Sequence, residues 1–134
     1  MLFVPCVAAE ARTFDIEAGT NDDGSMYLRP DRVQVAPGDV VTLRVKNVDT
    51  IFHDVAILGY GGRDIEIEVP KLRTEEATFT ADTQGEFRMV CEVTGHKQKG
   101  MQGVFVVGEE KDAPGAGAAA LVGAIALLTL ARRR

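Results

Sequence analysis

Cys91, His96 and Met101 stand on one short stretch with the spacing Cys-x4-His-x4-Met. His53, the only other histidine of the chain, lies 38 residues before Cys91. A thiolate, two imidazoles and a thioether make the donor set of a mononuclear blue-copper centre, with two His and one Cys in a plane and a weak Met on the axis. The soft thiolate holds Cu(I), and imidazole suits both oxidation states. A long thioether donates little charge, which keeps the reduction potential high. A stretch this short aims three side chains at one point only if its backbone turns sharply. Gly95 and Gly100, each directly before a proposed ligand, supply that freedom. The fourth donor has to come from a different strand, so that the ion ties distant segments together. A centre of this kind moves single electrons.

The competing reading is a copper-free relic or another metal. Cysteine is among the most buried residue types, and a lone His or Met is ordinarily filler. This arrangement differs in using both histidines of the chain. Zinc is disfavoured, because its structural sites draw on several Cys or His. The two cysteines make no disulfide framework: Cys6 lies in an apolar N-terminal stretch, and Cys91 is wanted for metal.

The run Cys91 to Gly103, with Gly95-His96 and Gly100-Met101-Gln102-Gly103, resembles the copper loop of rusticyanins and sulfocyanins among the cupredoxins. Plastocyanin-type loops have a shorter Cys-to-His gap. Asn47 to Asp54 resembles the segment that carries the first His ligand in that family. The resemblance covers residues 12 to 108. It implies an all-β Greek-key sandwich and one copper ion held by His53, Cys91, His96 and Met101. It further implies that His96 turns its far edge to the surface as the electron port, with Ile51, Phe52, Gly100 and Gln102 lining a docking surface. Lys97 and Lys99 flank His96; on an acidic domain they either steer an acidic redox partner or form a merely solvated pair. Two departures stand out. The chain is smaller than a rusticyanin, and Asp54 follows His53 where family members often carry Asn or Ser near the copper thiolate.

The expected function is therefore electron transfer between respiratory redox partners, a cytochrome or an oxidase, by a monomer. Copper oxidases and nitrite reductases need extra His clusters for further copper, and this chain has no third histidine, so no enzyme is expected. One Cys in the domain also argues against the dinuclear copper domain of cytochrome oxidase subunit II, which needs two bridging thiolates. The rival is an extracytoplasmic copper-binding or copper-carrier module.

The elements that must position these donors are strands. Phe14 and Ile16 share a face in Arg12 to Ala18, and Val33 and Val35 alternate before the turn Ala36-Pro37-Gly38-Asp39. Val41, Leu43 and Val45 share a face in the next strand. Phe52 to Leu58 carries His53, and Gly59 to Gly62 reads as a loop. Ile65 and Ile67 alternate before Pro70; Phe79 centres Ala77 to Ala81. Phe87, Met89 and Cys91 share a face after the turn Asp82 to Gly85, and Val104 to Val107 closes the domain. Short strands between turn signals predict a Greek-key sandwich.

The 134 residues hold 15 basic and 20 acidic side chains, a net charge of −5. Setting aside Arg132, Arg133 and Arg134 leaves a net −8, which excludes a nucleic-acid binder. The size allows one domain, residues 12–108, with extensions. Residues 1–11 read as a truncated signal segment: apolar, ending in Ala9-Glu10-Ala11, without a basic start. Residues 109–114 form a linker. Residues 115–131 carry no charge and as a helix would span roughly 25 Å, near the lower limit for crossing a bilayer. The three arginines that follow belong on the cytoplasmic side, so residues 115–134 predict a transmembrane helix in the cell membrane with the copper domain outside. Pro114-Gly115 also looks like a C-terminal sorting signal whose tail is exchanged for a lipid.

Overall fold

Alternation of apolar and polar side chains builds the two faces of each strand. In Val40–Asn47, Val41, Leu43, Val45 and Asn47 point inward, while Val40, Arg44 and Lys46 face solvent. The computed structural model describes residues 9–108. Nine strands follow in order: β1 Ala11–Thr20, β2 Met26–Arg29, β3 Arg32–Val35, β4 Val40–Asn47, β5 His53–Tyr60, β6 Arg63–Val69, β7 Thr74–Thr80, β8 Gly85–Val90 and β9 Gln102–Val107. A single 3-10 turn, Lys97–Lys99, interrupts the segment between β8 and β9.

The strands form two sheets, β2-β1-β4-β7 and β3-β9-β8-β5-β6. β1 runs parallel to β4, and β3 parallel to β9; the other pairings are antiparallel. The chain crosses between the sheets after β2, after β3, after β4 and on either side of β7, as in a Greek-key sandwich. Ile16, Leu43 and Val45 from one sheet meet Val55, Ile57, Met89 and Phe105 from the other in a single buried core. The expected all-β sandwich is therefore the observed one.

Several local expectations change. β2 was not expected: four residues between a turn and Pro30 give only Met26 and Leu28 as an inward pair. β5 begins at His53, because Phe52 is exposed. It also runs through Gly59 and Tyr60, which were expected in a loop, with its register shifting between Ile57 and Tyr60. Tyr60 stays inside because its hydroxyl donates to the Thr80 carbonyl at 3.1 Å and accepts from the Thr83 N–H at 3.2 Å. Its ring meets Phe79, Phe87 and Phe105 edge-on.

The expected domain edge at residue 12 falls inside β1, where Ala11 already pairs with Val40. Most of the expected signal segment, the linker 109–114 and the expected membrane helix 115–134 lie outside the described residues. Among the described residues no helix is long and apolar enough to cross a membrane.

Candidate metal centre

Register brings the donors together. β5 and β8 are antiparallel, with Ala56 opposite Val90 and Ile57 opposite Met89. The start of β5, which carries His53, therefore lies beside the end of β8, which leads into Cys91. His53, Cys91 and His96 each offer one donor atom, and these atoms all lie within 4.8 Å of one another. The Nδ1 atoms of His53 and His96 are 3.1 Å apart, and Cys91 Sγ is 3.5 Å from His96 Nδ1. The two rings meet edge-on, their centroids 4.9 Å apart.

Met101 ends the same loop. Its backbone closes the loop on itself: the N–H donates to the His96 carbonyl at 3.2 Å, and the carbonyl accepts from the Cys91 N–H at 3.1 Å. His53, Cys91 and Met101 are fully buried; His96 is half-buried and is the member of the four that reaches solvent. Gly100 has φ +112°, and a Cβ there would sit 2.7 Å from the Met26 carbonyl oxygen. At Gly103 a Cβ would collide with the carbonyl oxygen of Asp31. The loop's return is thus pressed against β2 and the β2–β3 turn, a contact that only glycine permits.

The segment entering His53 is held by Asn47. Its buried side-chain amide donates to the Ile51 carbonyl at 2.8 Å and the Val69 carbonyl at 2.9 Å, and its oxygen accepts from the Asp49 N–H at 2.8 Å. The carboxylate of Asp54 accepts from the Glu92 N–H at 2.6 Å and ties the His53 strand to the Cys91 loop. Asp54 therefore bridges the two ligand-bearing segments despite departing from the expected Asn or Ser.

In the metal-free protein the His96 imidazole is ready for a metal, whereas the Cys91 thiol has first to give up its proton. Burial pushes the Cys91 thiol up to about 11, opposed by the backbone N–H groups of Asp54 and Val93. Burial, and then His53 nearby, hold His96 below the ordinary imidazole range, so its ring is neutral at pH 7. A thiol and two imidazoles, gathered at one end of the sandwich, make a set that a hard cation would not choose and that fits a type 1 copper site; Met101 is buried on the same loop. Val48, Ile51, Phe52 and Leu72 are exposed on the loops at this same end. Gly100 and Gln102 are exposed as well.

Reading the sequence alone missed Asn47 and Asp49 as site residues. Asn47 carries a signal: it continues the inward series Val41, Leu43, Val45, where an amide must find partners. Asp49 carries none beyond its nearness to His53.

No protein-family model matches the chain, and no curated protein matches it in sequence. Solved structures do. The Cu-containing nitrite reductase (NirK) from Thermus scotoductus SA-01 is 25% identical with a TM-score of 0.62, over 78% of this chain and 29% of that one. The chain thus spans under a third of that enzyme's length. Auracyanin A, a "blue" copper protein from Chloroflexus aurantiacus, is 24% identical with a TM-score of 0.57, over 72% of this chain and 99% of that one. Auracyanin from Roseiflexus castenholzii is 19% identical with a TM-score of 0.60, over 78% and 100%. These likenesses establish the fold as that of the cupredoxins; the expected likeness to rusticyanins and sulfocyanins rests on the loop sequence alone.

Proposed function

We propose that this cupredoxin-fold chain is a mononuclear copper electron carrier whose ion is held by His53, Cys91, His96 and Met101. One observation carries the reading: three donor atoms of the right types lie within 4.8 Å of one another in a largely buried pocket. When bound, copper supplies a one-electron Cu(II)/Cu(I) couple. The chain's part is to hold the donors still, so that little reorganisation accompanies a change of charge. The double-sheet frame, the Asn47 and Asp54 ties and the closed loop do this. His96, the half-buried ligand, gives the electron its way out, beside the exposed Ile51 and Phe52 where a redox protein can dock. The nitrite reductase that shares the fold, and a multicopper oxidase that does too, are enzymes by name. With two histidines in all, this chain has none left for a further copper, and we assign it no reaction of its own.

The test is a titration of the purified protein with Cu(II), followed by absorption and calorimetry at several pH values. An intense visible band from thiolate-to-copper charge transfer supports an electron carrier. A colourless or quickly bleached product favours a copper-carrier module instead. Because the Cys91 thiol ionises only near pH 11, binding at neutral pH must release its proton. Apparent affinity then rises with pH by about tenfold per unit up to that value. His96 adds a second released proton only in acid, below the ordinary imidazole range. Loading without proton release at pH 7 contradicts a thiolate ligand.

We further propose that residues 115–134 anchor the protein in the cell membrane with the copper domain outside, where it passes electrons as a monomer between respiratory redox partners, a cytochrome or an oxidase. The uncharged stretch and the terminal arginines support this. Deleting residues 115–134 should move the protein from the membrane to the soluble fraction; unchanged fractionation removes the anchor.

A further inference from the structure

The imidazole of His53 is gripped on both of its nitrogens. Nδ1 faces His96, while Nε2 lies 2.7 Å from Oδ2 of Asp49. An ionised carboxylate only accepts hydrogen bonds, so the proton must sit on Nε2. With its single proton on Nε2, the ring has its bare lone pair on Nδ1, the nitrogen that faces His96.

Asp49 is itself fixed from three directions. Thr20, on β1, donates its hydroxyl to the same Oδ2 at 2.7 Å. The Asp49 N–H donates to Asn47, and its carbonyl accepts from the Leu72 N–H at 3.1 Å. Its side chain is 17% exposed. Burial raises its pKa, but the hydrogen bonds from His53 and Thr20 outweigh that and hold the carboxyl below its usual range. Among the described residues no lysine or arginine pairs with it, so its charge is directed at the imidazole.

We propose that Asp49, braced by Thr20, is a positioning residue that sets the His53 tautomer and, through the ring, lowers the reduction potential of the centre. The first half concerns the metal-free protein; the second rests on the copper reading above. The physical cause is the same for both. A carboxylate on the far nitrogen orients a ligating imidazole and makes it more basic, and a more basic ligand favours the more highly charged ion.

Two variants separate geometry from charge. Asp49→Asn keeps an acceptor for Nε2–H and removes the charge; Asp49→Ala removes both. In the metal-free full chain, 15N NMR of the His53 ring should show the proton on Nε2 in the parent and in Asp49→Asn, and a mixture of tautomers in Asp49→Ala. In the copper-loaded chain, Asp49→Asn should shift the preference toward Cu(I) by about tenfold, an increase of about 59 mV for a one-electron couple. Asp49→Ala should also weaken copper binding by about tenfold or more. Thr20→Val should shift the potential in the same direction by less. A proton on Nδ1 in the metal-free parent, or an Asp49→Ala tautomer population like the parent's, overturns the positioning role. A potential in Asp49→Asn that moves less than twofold in equivalent preference overturns the tuning role. If the parent shows no Cys91-dependent visible band, the copper reading and the tuning role fall together, while the NMR result still decides the positioning.

Discussion

Cys91→Ser abolishes the visible charge-transfer band and weakens Cu(I) binding by more than the 10–100-fold typical of losing an outer partner of a metal ligand. A serine hydroxyl is a hard, weakly acidic oxygen. It neither matches a soft cuprous ion nor offers the orbital from which the absorption arises. The exchange is nearly isosteric, and Cys91 takes part in the frame through its backbone N–H to Met101, which serine retains. Thermal unfolding of the metal-free variant should therefore stay close to the parent's. Absorption of the Cu(II)-loaded protein and competition against a Cu(I) chelator check the two halves. A variant that keeps the band would place the sulfur ligand elsewhere and dismantle the proposed centre.

Asn47→Leu behaves in the opposite way, with a large loss of stability. Leucine has the same branching and number of side-chain heavy atoms but no polar atoms. The Val69 carbonyl, whose hydrogen bond to Asn47 is buried, loses that partner, and the Ile51 carbonyl and Asp49 N–H lose theirs. A buried polar group left unpaired costs about 1–3 kcal/mol, so the three together cost about 2–4 kcal/mol once partial solvent access at the outer two is allowed. That is a large part of the 5–15 kcal/mol typical of a domain. Denaturant unfolding of the metal-free protein should show a lower midpoint with an unchanged slope. Copper binding should weaken too, because the segment that delivers Asp49 and His53 is no longer tied to β4 and to Val69 of β6. An unfolding free energy within about 0.5 kcal/mol of the parent's would mean that Asn47 merely fills space.

These two residues differ in how openly the sequence announces them. Cys91 belongs to a loop whose donors are covalently close, so their types and spacing are readable without coordinates. Asn47 belongs to a strand whose inward face is evident from Val41, Leu43 and Val45, yet its partners Ile51 and Val69 emerge only when the strands are placed. Strand pairing has a similar limit. Alternation marked most of the strands, but four residues at β2 were too few to stand out, and the glycines around Tyr60 read as a loop. Tyr60 instead continues β5, because its hydroxyl finds Thr80 and Thr83 across the fold.

The donor inventory needed no coordinates. With two histidines, one cysteine outside the N-terminal stretch and a methionine five residues beyond His96, few other ligand sets can be drawn from this chain. Alternation likewise determined that the frame is β. Tertiary structure alone decided which nitrogen of His53 faces His96, and that Thr20 and Asp49 stand behind the buried ring. Those relations join residues up to 43 positions apart. They depend on sheet register and on the direction in which each side chain leaves its strand. A one-residue slip in pairing would turn every inward group outward, so no local pattern encodes them.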